Sequence, residues 1–69
     1  MKDVFGREVN AGDYVIYAKA YDSSIMLNVS IVHRTTAKKC EIDGIWSGKT
    51  LVQNVIKISK EMYDEIKNK

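Results

Sequence analysis

The sequence predicts a mostly β domain, a five-stranded barrel followed by a short C-terminal α-helix. Turn-forming residues recur every eight to twelve residues, and the segments between them are short, apolar and rich in β-branched side chains. The chain has 69 residues, which is enough for one small barrel but not for two full sheets packed face to face. We therefore expect a single domain, with the barrel in residues 1–58 and the helix in residues 59–69.

The five strands are predicted over residues 13–18, 26–34, 39–43, 50–53 and 55–58. The polar segment 19–24 is expected to form a long loop between the first two strands. Side chains that alternate along a strand point to opposite faces, so every second residue of a strand faces the core. On this basis six side chains are predicted to be largely buried: Val15, Tyr17, Leu27, Ile42, Ile56 and Ile58.

The C-terminal tail changes from strand periodicity to helix periodicity. Ser59 is a suitable N-cap, and Glu61 adds an acidic residue to the first turn. Met62 and Ile66 are four residues apart, which places them on one face of a helix over 60–67. Because so short a helix is unstable alone in water, it is expected to pack on one mouth or edge of the barrel through Met62, Tyr63 and Ile66.

The first half of the chain resembles a known family. Residues 3–17 read Asp-Val-Phe-Gly-Arg-Glu-Val-Asn-Ala-Gly-Asp-Tyr-Val-Ile-Tyr. This run is similar to the opening of small SH3-like barrel proteins, which include KOW-type domains and short proteins of tailed bacteriophages. The resemblance continues through residues 23–29 and ends at 55–58. A KOW motif has glycine where this chain has Ser30, so the resemblance implies the fold and a phage context but no functional residue.

Composition limits the location and the partners. The N-terminus has no apolar segment typical of a signal peptide, and no apolar run is long enough for a membrane span. The single cysteine, Cys40, fits a reducing compartment, so a cytoplasmic location is expected. The net charge is +2, with the positive excess in residues 25–60, which is modest for a protein that binds nucleic acid.

Catalytic and metal-binding residues do not form a recognisable pattern in the sequence. His33 is the only histidine, and neither a zinc site nor a Cys–His nucleophile pair has enough residues at local spacing. Cys40 could still meet His33 across adjacent strands, but a buried structural cysteine is the simpler interpretation. We therefore expect a protein that is not an enzyme and has no cofactor or metal.

Two aromatic residues and four basic residues are the candidate binding residues. Phe5 and Tyr17 are expected in the core, whereas Tyr21 lies in the polar loop and Trp46 beside a Ser-Gly turn. Exposed tyrosine and tryptophan favour binding, although Trp46 could instead cover the open end of the barrel. The basic candidates lie in or near turns beside Trp46: Arg34, Lys38, Lys39 and Lys49.

Two interpretations of these residues compete. In the first, the chain is a binding module that docks on a host or self-encoded protein through Tyr21 and Trp46, or through an exposed strand edge. In the second, it is a KOW-like barrel that binds nucleic acid with its basic residues. Nucleic-acid binding requires the basic side chains on one face and weakens steeply with salt. The small net charge favours the protein partner.

Overall fold

The computed structural model describes residues 1–21, 24–43 and 48–68. Its elements, in chain order, are β1 Tyr14–Tyr21, β2 Ser24–Ile31, β3 Arg34–Thr35, β4 Cys40–Asp43, β5 Lys49–Val52, β6 Ile56–Ile58 and α1 Lys60–Lys67. The mostly β content and the C-terminal helix that the sequence predicts are confirmed.

The strands form two antiparallel sheets. The first has the strand order β2-β1-β6 and the second β3-β4-β5. β1 is the central strand of the first sheet, because it pairs with β2 along its whole length and with β6 over residues 14–16. Within the described residues, no strand pairing joins the two sheets into a closed barrel.

The chain passes from the first sheet to the second at Val32 and His33. The Val32 N–H donates to the Asp13 carbonyl at 2.8 Å, and the Val32 carbonyl accepts from Gly12 N–H at 2.8 Å. The next residue, His33, donates its N–H to the Glu41 carbonyl in β4, also at 2.8 Å. Since successive residues of a strand direct their backbone groups to opposite sides, this one step changes the pairing partner from one sheet to the other.

The long loop predicted over residues 19–24 is wrong. Lys19 pairs with Met26 and Tyr21 pairs with Ser24, so residues 19–21 belong to β1 and residue 24 to β2, whereas residues 22 and 23 lie outside the described residues. Ladder hydrogen bonds join backbone groups, and a polar side chain such as that of Lys19 therefore does not end a strand.

The core lies between the two sheets and is small. Its buried apolar members are Val9, Val15, Tyr17, Val32, Cys40, Ile42 and Val55. The predicted burial of Val15, Tyr17 and Ile42 is thus confirmed. The strand alternation on which these three predictions depend is present in β1 and β4, where each inward residue is flanked by more exposed neighbours.

β2 has the opposite orientation to the predicted one. Leu27 pairs with Ala18 on the side of the sheet away from the core, and it is 73% exposed. The inward side of β2 carries Asn28 and Ser30 instead. Ser30 is buried because its hydroxyl is satisfied: Oγ donates to the Ile31 carbonyl at 2.9 Å and accepts from Asp43 N–H at 3.1 Å. The predicted burial of Leu27 is therefore wrong.

Ile56 and Ile58 are half-buried, so the predicted burial of both is confirmed only in part. They pair with Ile16 and Tyr14 and share the side of the sheet on which Leu27 lies. The residue of the last strand region that fills the core is Val55, immediately before β6.

Asp3 joins the N-terminal turn to β6. Its carboxylate accepts hydrogen bonds from the backbone N–H groups of Phe5 and Arg7 at 2.9 Å and of Lys57 at 3.0 Å. Arg7 Nε adds a charged donor at 2.9 Å. Burial raises the pKa of this carboxyl, but the hydrogen bonds from Lys57, Arg7 and Phe5 outweigh it and hold the pKa well below its usual range. Phe5 itself is exposed, so its predicted place in the core is wrong.

The helix spans Lys60–Lys67, as the sequence predicts. Ser59 Oγ accepts from Met62 N–H at 3.1 Å and caps the first turn. The main packing residue is Tyr63, whose ring lies 4.5 Å from the ring of Tyr14 between centroids, at an interplanar angle of 42°. The predicted packing through Tyr63 is thus present, whereas Met62 and Ile66 are both exposed.

The Asp3 network predicts a specific pH dependence of stability. The ordinary pKa of this carboxyl is 3.8, and its folded-state pKa is lower. At pH values between these two pKa values the unfolded chain binds more protons than the folded one. The contribution of Asp3 to the free energy of unfolding is therefore present above about pH 4 and is lost as pH falls through the folded-state pKa. Asp3→Asn should destabilise the protein at neutral pH. When the free energy of urea unfolding is measured from pH 2 to 7, the variant should show a smaller decrease toward acid pH (a flatter acid limb) than the unmodified protein. Glu65→Gln, at an exposed helix position, should leave that limb unchanged; equal limbs for Asp3→Asn and the unmodified protein would contradict the role of Asp3.

Removal of the helix should lower the free energy of unfolding. A chain that ends at Ser59 loses the Tyr14–Tyr63 ring contact and the partial cover that Met62 gives the sheet. We expect a loss of about 2–5 kcal/mol in urea titrations, in the range found when large apolar contacts are removed. Glu65→Ala, which removes an exposed side chain and keeps the helix, should change the value by less than about 0.5 kcal/mol.

Candidate functional site

The first sheet has an apolar face directed away from the core. Residues opposite each other in an antiparallel ladder point to the same side, so the pairs Ile16–Val29, Ala18–Leu27 and Ile16–Ile56 share this side. We call it the outer face, and its members are Ile16, Ala18, Ile25, Leu27, Val29, Ile56 and Ile58. Tyr14 and Ile31, which pair with each other, lie on the same side, and none of these side chains is charged.

The helix covers only one end of the outer face. Tyr63 packs on Tyr14 near the start of β1, and Met62 lines a groove with Ile16, Ile56 and Ile58. The opposite end, at the tip of the β1–β2 hairpin, has no covering element among the described residues. There Ile25 is 75% exposed and Leu27 is 73% exposed. Large aliphatic side chains are therefore presented to solvent on a flat sheet surface.

The outer side of the second sheet carries charges of both signs beside the exposed side chain of Leu51. Arg34 Nε donates to Glu41 Oε2 at 2.9 Å, and the two residues are opposite each other in the ladder. Lys49 is opposite Asp43 at the other end of β4. Two of the four predicted basic residues thus lie beside carboxylates that reduce the local positive potential.

Of the remaining sequence-predicted binding residues, Lys38 and Lys39 lie at the opposite end of β4 from Lys49. Lys38 and Lys39 are exposed in the turn between β3 and β4, which is closed by hydrogen bonds between Thr36 and Lys39. This turn adjoins the Cys40 end of β4, whereas Lys49 lies at the Asp43 end. Trp46 and the side chain of Tyr21 lie outside the described residues.

His33 and Cys40 lie in different environments. The imidazole Nε2 of His33 is 2.7 Å from Asp43 Oδ1 on the exposed side of the second sheet. Cys40 is buried in the core, and burial raises the pKa of its thiol. The Cys–His pair that the sequence left open is therefore not formed, because the two side chains are on opposite faces of the sheet.

A small polar cleft lies beside the edge of β2. It is lined by Tyr17, Asn28, Val29, Ser30, Asp43, Tyr63 and Lys67. The side-chain Nδ2 of Asn28 is buried there and has no acceptor within the described part of the chain. A buried donor without an acceptor costs about 1–3 kcal/mol, so an acceptor atom beside Asn28 would be favourable.

The part of the chain that the structure describes has neither a cluster of metal-ligating side chains nor a helix that could span a membrane. In residues 1–21, 24–43 and 48–68, no three His, Cys, Asp or Glu side chains gather into a possible metal site. The helix among these residues, α1, is too short and too polar to cross a membrane.

Sequence reasoning missed the outer face because it assigned Leu27 to the core. A signal was present, since β2 is apolar at Ile25, Leu27, Val29 and Ile31 and polar at Asn28 and Ser30. Alternation predicts that this apolar series is the inward one, as is usual for a strand with one buried face. Only the pairing with β1 shows that the series faces outward.

The fold and this surface define the chain as a small two-sheet β domain with a C-terminal helix and an uncovered apolar sheet face. The chain belongs to the family described as "Domain of unknown function (DUF7205)", whose model matches residues 1–67. Comparison with curated proteins and with solved structures gives no match.

The environment of Cys40 predicts slow thiol chemistry. Its side chain is inaccessible, and its raised pKa keeps the thiol protonated at neutral pH. Modification by an aromatic disulfide reagent should be at least about 100-fold slower in the native protein than in urea, because the reaction requires opening of the fold. A free-cysteine peptide of residues 36–44 serves as the reference for the accessible thiol. Equal native and denatured rates would show that Cys40 is not in the core.

Proposed function

We propose that this chain is a small non-enzymatic binding module that binds another protein through the outer face of its first sheet. The observation that carries the proposal is the exposure of Ile25 and Leu27 at the uncovered end of that face. Soluble monomers seldom expose contiguous apolar surface of this kind, and such patches mark sites of interaction.

The energetics require the whole outer face and not only its two most exposed residues. Full burial of one large aliphatic side chain contributes about 1.5–3 kcal/mol. Ile25 and Leu27 together would contribute about 3–6 kcal/mol, which is comparable to the lower range of the cost of association, about 4–15 kcal/mol. A stable complex therefore needs the neighbouring Ala18, Ile16 and Val29, which form a continuous surface with them.

The proposed fold is a five-stranded SH3-like barrel in which β2 and β3 form one bent strand. Support comes from the bend at Val32 and His33, where consecutive residues pair with different sheets. Further support comes from β6, which returns to pair with β1 and so brings the two ends of the strand series together. Together with the resemblance of residues 3–17, this favours a phage-encoded protein whose partner is a host or phage protein.

Nucleic acid is the less favoured ligand. Arg34 is paired with Glu41, and Lys49 is opposite Asp43, so the outer side of the second sheet has no uninterrupted positive strip among the described residues. Phosphate recognition depends on such a strip, because affinity comes mainly from the release of counterions by clustered cations. On the first sheet, Arg7 and Lys57 border the groove beside Met62, and Ile25 and Leu27 at the opposite end have no cation beside them among the described members of the outer face.

Substitution of the outer face should abolish partner binding and leave the fold intact. We expect the double variant Ile25→Ser/Leu27→Ser to weaken binding to a partner captured from host lysate by at least about tenfold, since central apolar residues contribute most of the affinity of an interface. Phe5→Ser is the matched control, because Phe5 is equally exposed but lies in the N-terminal turn. Binding is measured by titration calorimetry with the purified partner at two salt concentrations.

Two outcomes would contradict the proposal. One is a captured partner whose affinity is the same for the unmodified protein and the double variant. The other is capture that nuclease treatment abolishes and that weakens steeply with salt. If a Lys38→Ala/Lys39→Ala variant reduces this salt dependence, the ligand is a nucleic acid.

A further inference from the structure

β2 is an edge strand, and the direction of its free backbone groups follows from Val32. The N–H and carbonyl groups of Val32 both point toward the β1 side, where they bond to Asp13 and Gly12. Since the direction alternates along a strand, Ser24, Met26 and the other even-numbered residues also face β1. The backbone groups of Ile25 and Leu27 therefore point away from β1, toward the free edge.

The free part of this edge is the segment from Ser24 to Asn28. Ser30 is linked to the second sheet, because its Oγ accepts from Asp43 N–H at 3.1 Å. No strand among the described residues pairs with the edge of β2 from Ser24 to Asn28. The opposite edge of the same sheet, at β6, is occupied by the N-terminal turn. There Lys57 N–H donates to Asp3 Oδ2, and Val4 N–H donates to the Val55 carbonyl.

The usual protections of an edge strand are missing from β2. Natural sheets guard an exposed edge with a charged residue, a proline or a bulge. The sequence of β2 is SIMLNVSI, which contains neither a charge nor a proline, and its pairing with β1 continues without interruption from Ser24 to Ile31. The two edge strands of the second sheet, β3 and β5, each begin with a charged residue, Arg34 and Lys49.

We propose that two copies of this chain associate by antiparallel pairing of their β2 edges, with the twofold axis at Met26. In this arrangement Ile25 of one copy is opposite Leu27 of the second copy, and the two residues exchange both backbone N–H···O bonds. Their side chains meet on the outer face. The dimer thereby satisfies the outward backbone groups and covers part of the two most exposed apolar side chains together.

The inner side of the proposed edge is also self-complementary. The same axis places Asn28 opposite Ser24 of the second copy. Directly opposed residues in an antiparallel pair have Cβ atoms about 4.5–5.5 Å apart, which is within hydrogen-bonding reach of an amide and a hydroxyl. The Nδ2 group of Asn28, which has no acceptor within the described part of one copy, gains one in the dimer.

Charge favours a second copy over a strand of arbitrary sequence. Self-pairing opposes only uncharged residues, because β2 has no charged side chain. The nearest charge that the structure describes on the hairpin is Lys19, which pairs with Met26 one strand away. In the dimer the two Lys19 residues are three strand spacings apart, roughly 14 Å, which exceeds the screening length of about 8 Å at physiological ionic strength.

The dimer and the proposed partner site share Ile25 and Leu27, but the dimer depends on the backbone edge of β2, whereas the partner site needs the outer face as a whole. It would join the outer faces of two copies into one six-stranded surface. The inference thus goes beyond the proposed function, and either one can fail while the other stands.

A charge exchange at the axis tests the dimer. Met26 is the one residue that the axis places opposite itself, and its side chain is half-exposed on the side of the sheet away from Leu27. Met26→Lys and Met26→Glu should each raise the dimer dissociation constant by at least about tenfold in sedimentation equilibrium, because like charges are opposed. An equimolar mixture of the two variants should restore a dimer that contains one copy of each. Leu51→Lys and Leu51→Glu, on the exposed side of β5, are the matched controls and should have no such effect.

Amide hydrogen exchange supplies an independent readout. In the unmodified protein, exchange at Ile25 and Leu27 should slow as the protein concentration rises, while Met26, whose N–H faces β1, should be protected at all concentrations. A protein that stays monomeric up to millimolar concentration would overturn the proposal and leave the edge to an extended segment of another protein. Variants that dimerise unchanged, or a mixture that does not restore the dimer, would overturn it as well. Partner binding that remains sensitive to Ile25→Ser/Leu27→Ser would show that the proposed function still holds.

Discussion

The hydrogen bonds of Asp3 connect parts of the chain that are 54 residues apart in sequence. One carboxylate accepts from the N-terminal turn, from the Arg7 side chain and from the backbone of Lys57 in β6. Because β6 has only three residues, its pairing with β1 gives it little support of its own, and the Asp3 contact fixes its outer edge. The position of the helix follows from this, since α1 begins two residues after β6 ends and reaches Tyr14 only if β6 is in place.

This constraint makes the two edges of the first sheet, β6 and β2, unequal. The β6 edge is covered by the N-terminal turn, and the neighbouring end of the sheet is covered by the helix. The distant strand, β2, receives neither kind of cover at its hairpin tip. Since a chain of 69 residues has few elements with which to cover a sheet, protection of one edge leaves the other exposed. The apolar tip and the free edge of β2 are therefore two consequences of one arrangement.

How much of the fold could be predicted differs from strand to strand. In β1 and β4 the residues Val15, Tyr17, Cys40 and Ile42 are inward as alternation predicts, because each of these positions holds a β-branched, aromatic or sulfur-containing residue. The helix was predictable because a capping serine and a four-residue apolar spacing are local signals. The inward face of β2 was not predictable, because it depends on pairing with β1 and on a hydrogen bond from distant Asp43 to Ser30. Neither interaction has a local signature in the sequence. The candidate site was missed for the same reason, and Tyr21 and Trp46 stay predictions.

The orientation of β2 is unfavourable for an isolated molecule. It buries the polar side chain of Ser30, which must then be hydrogen-bonded, and it exposes Ile25 and Leu27, whose burial would stabilise the fold. The opposite orientation would bury the apolar series but would lose the Ser30 link between the sheets and the continuity of the chain at Val32, where the backbone turns into the second sheet. The connection between the sheets thus takes precedence over the burial of the hairpin tip. A surface that covers Ile25 and Leu27, whether a partner protein or a second copy, offsets this cost, and for that reason the tip of β2 is the part of the molecule where binding yields the largest gain.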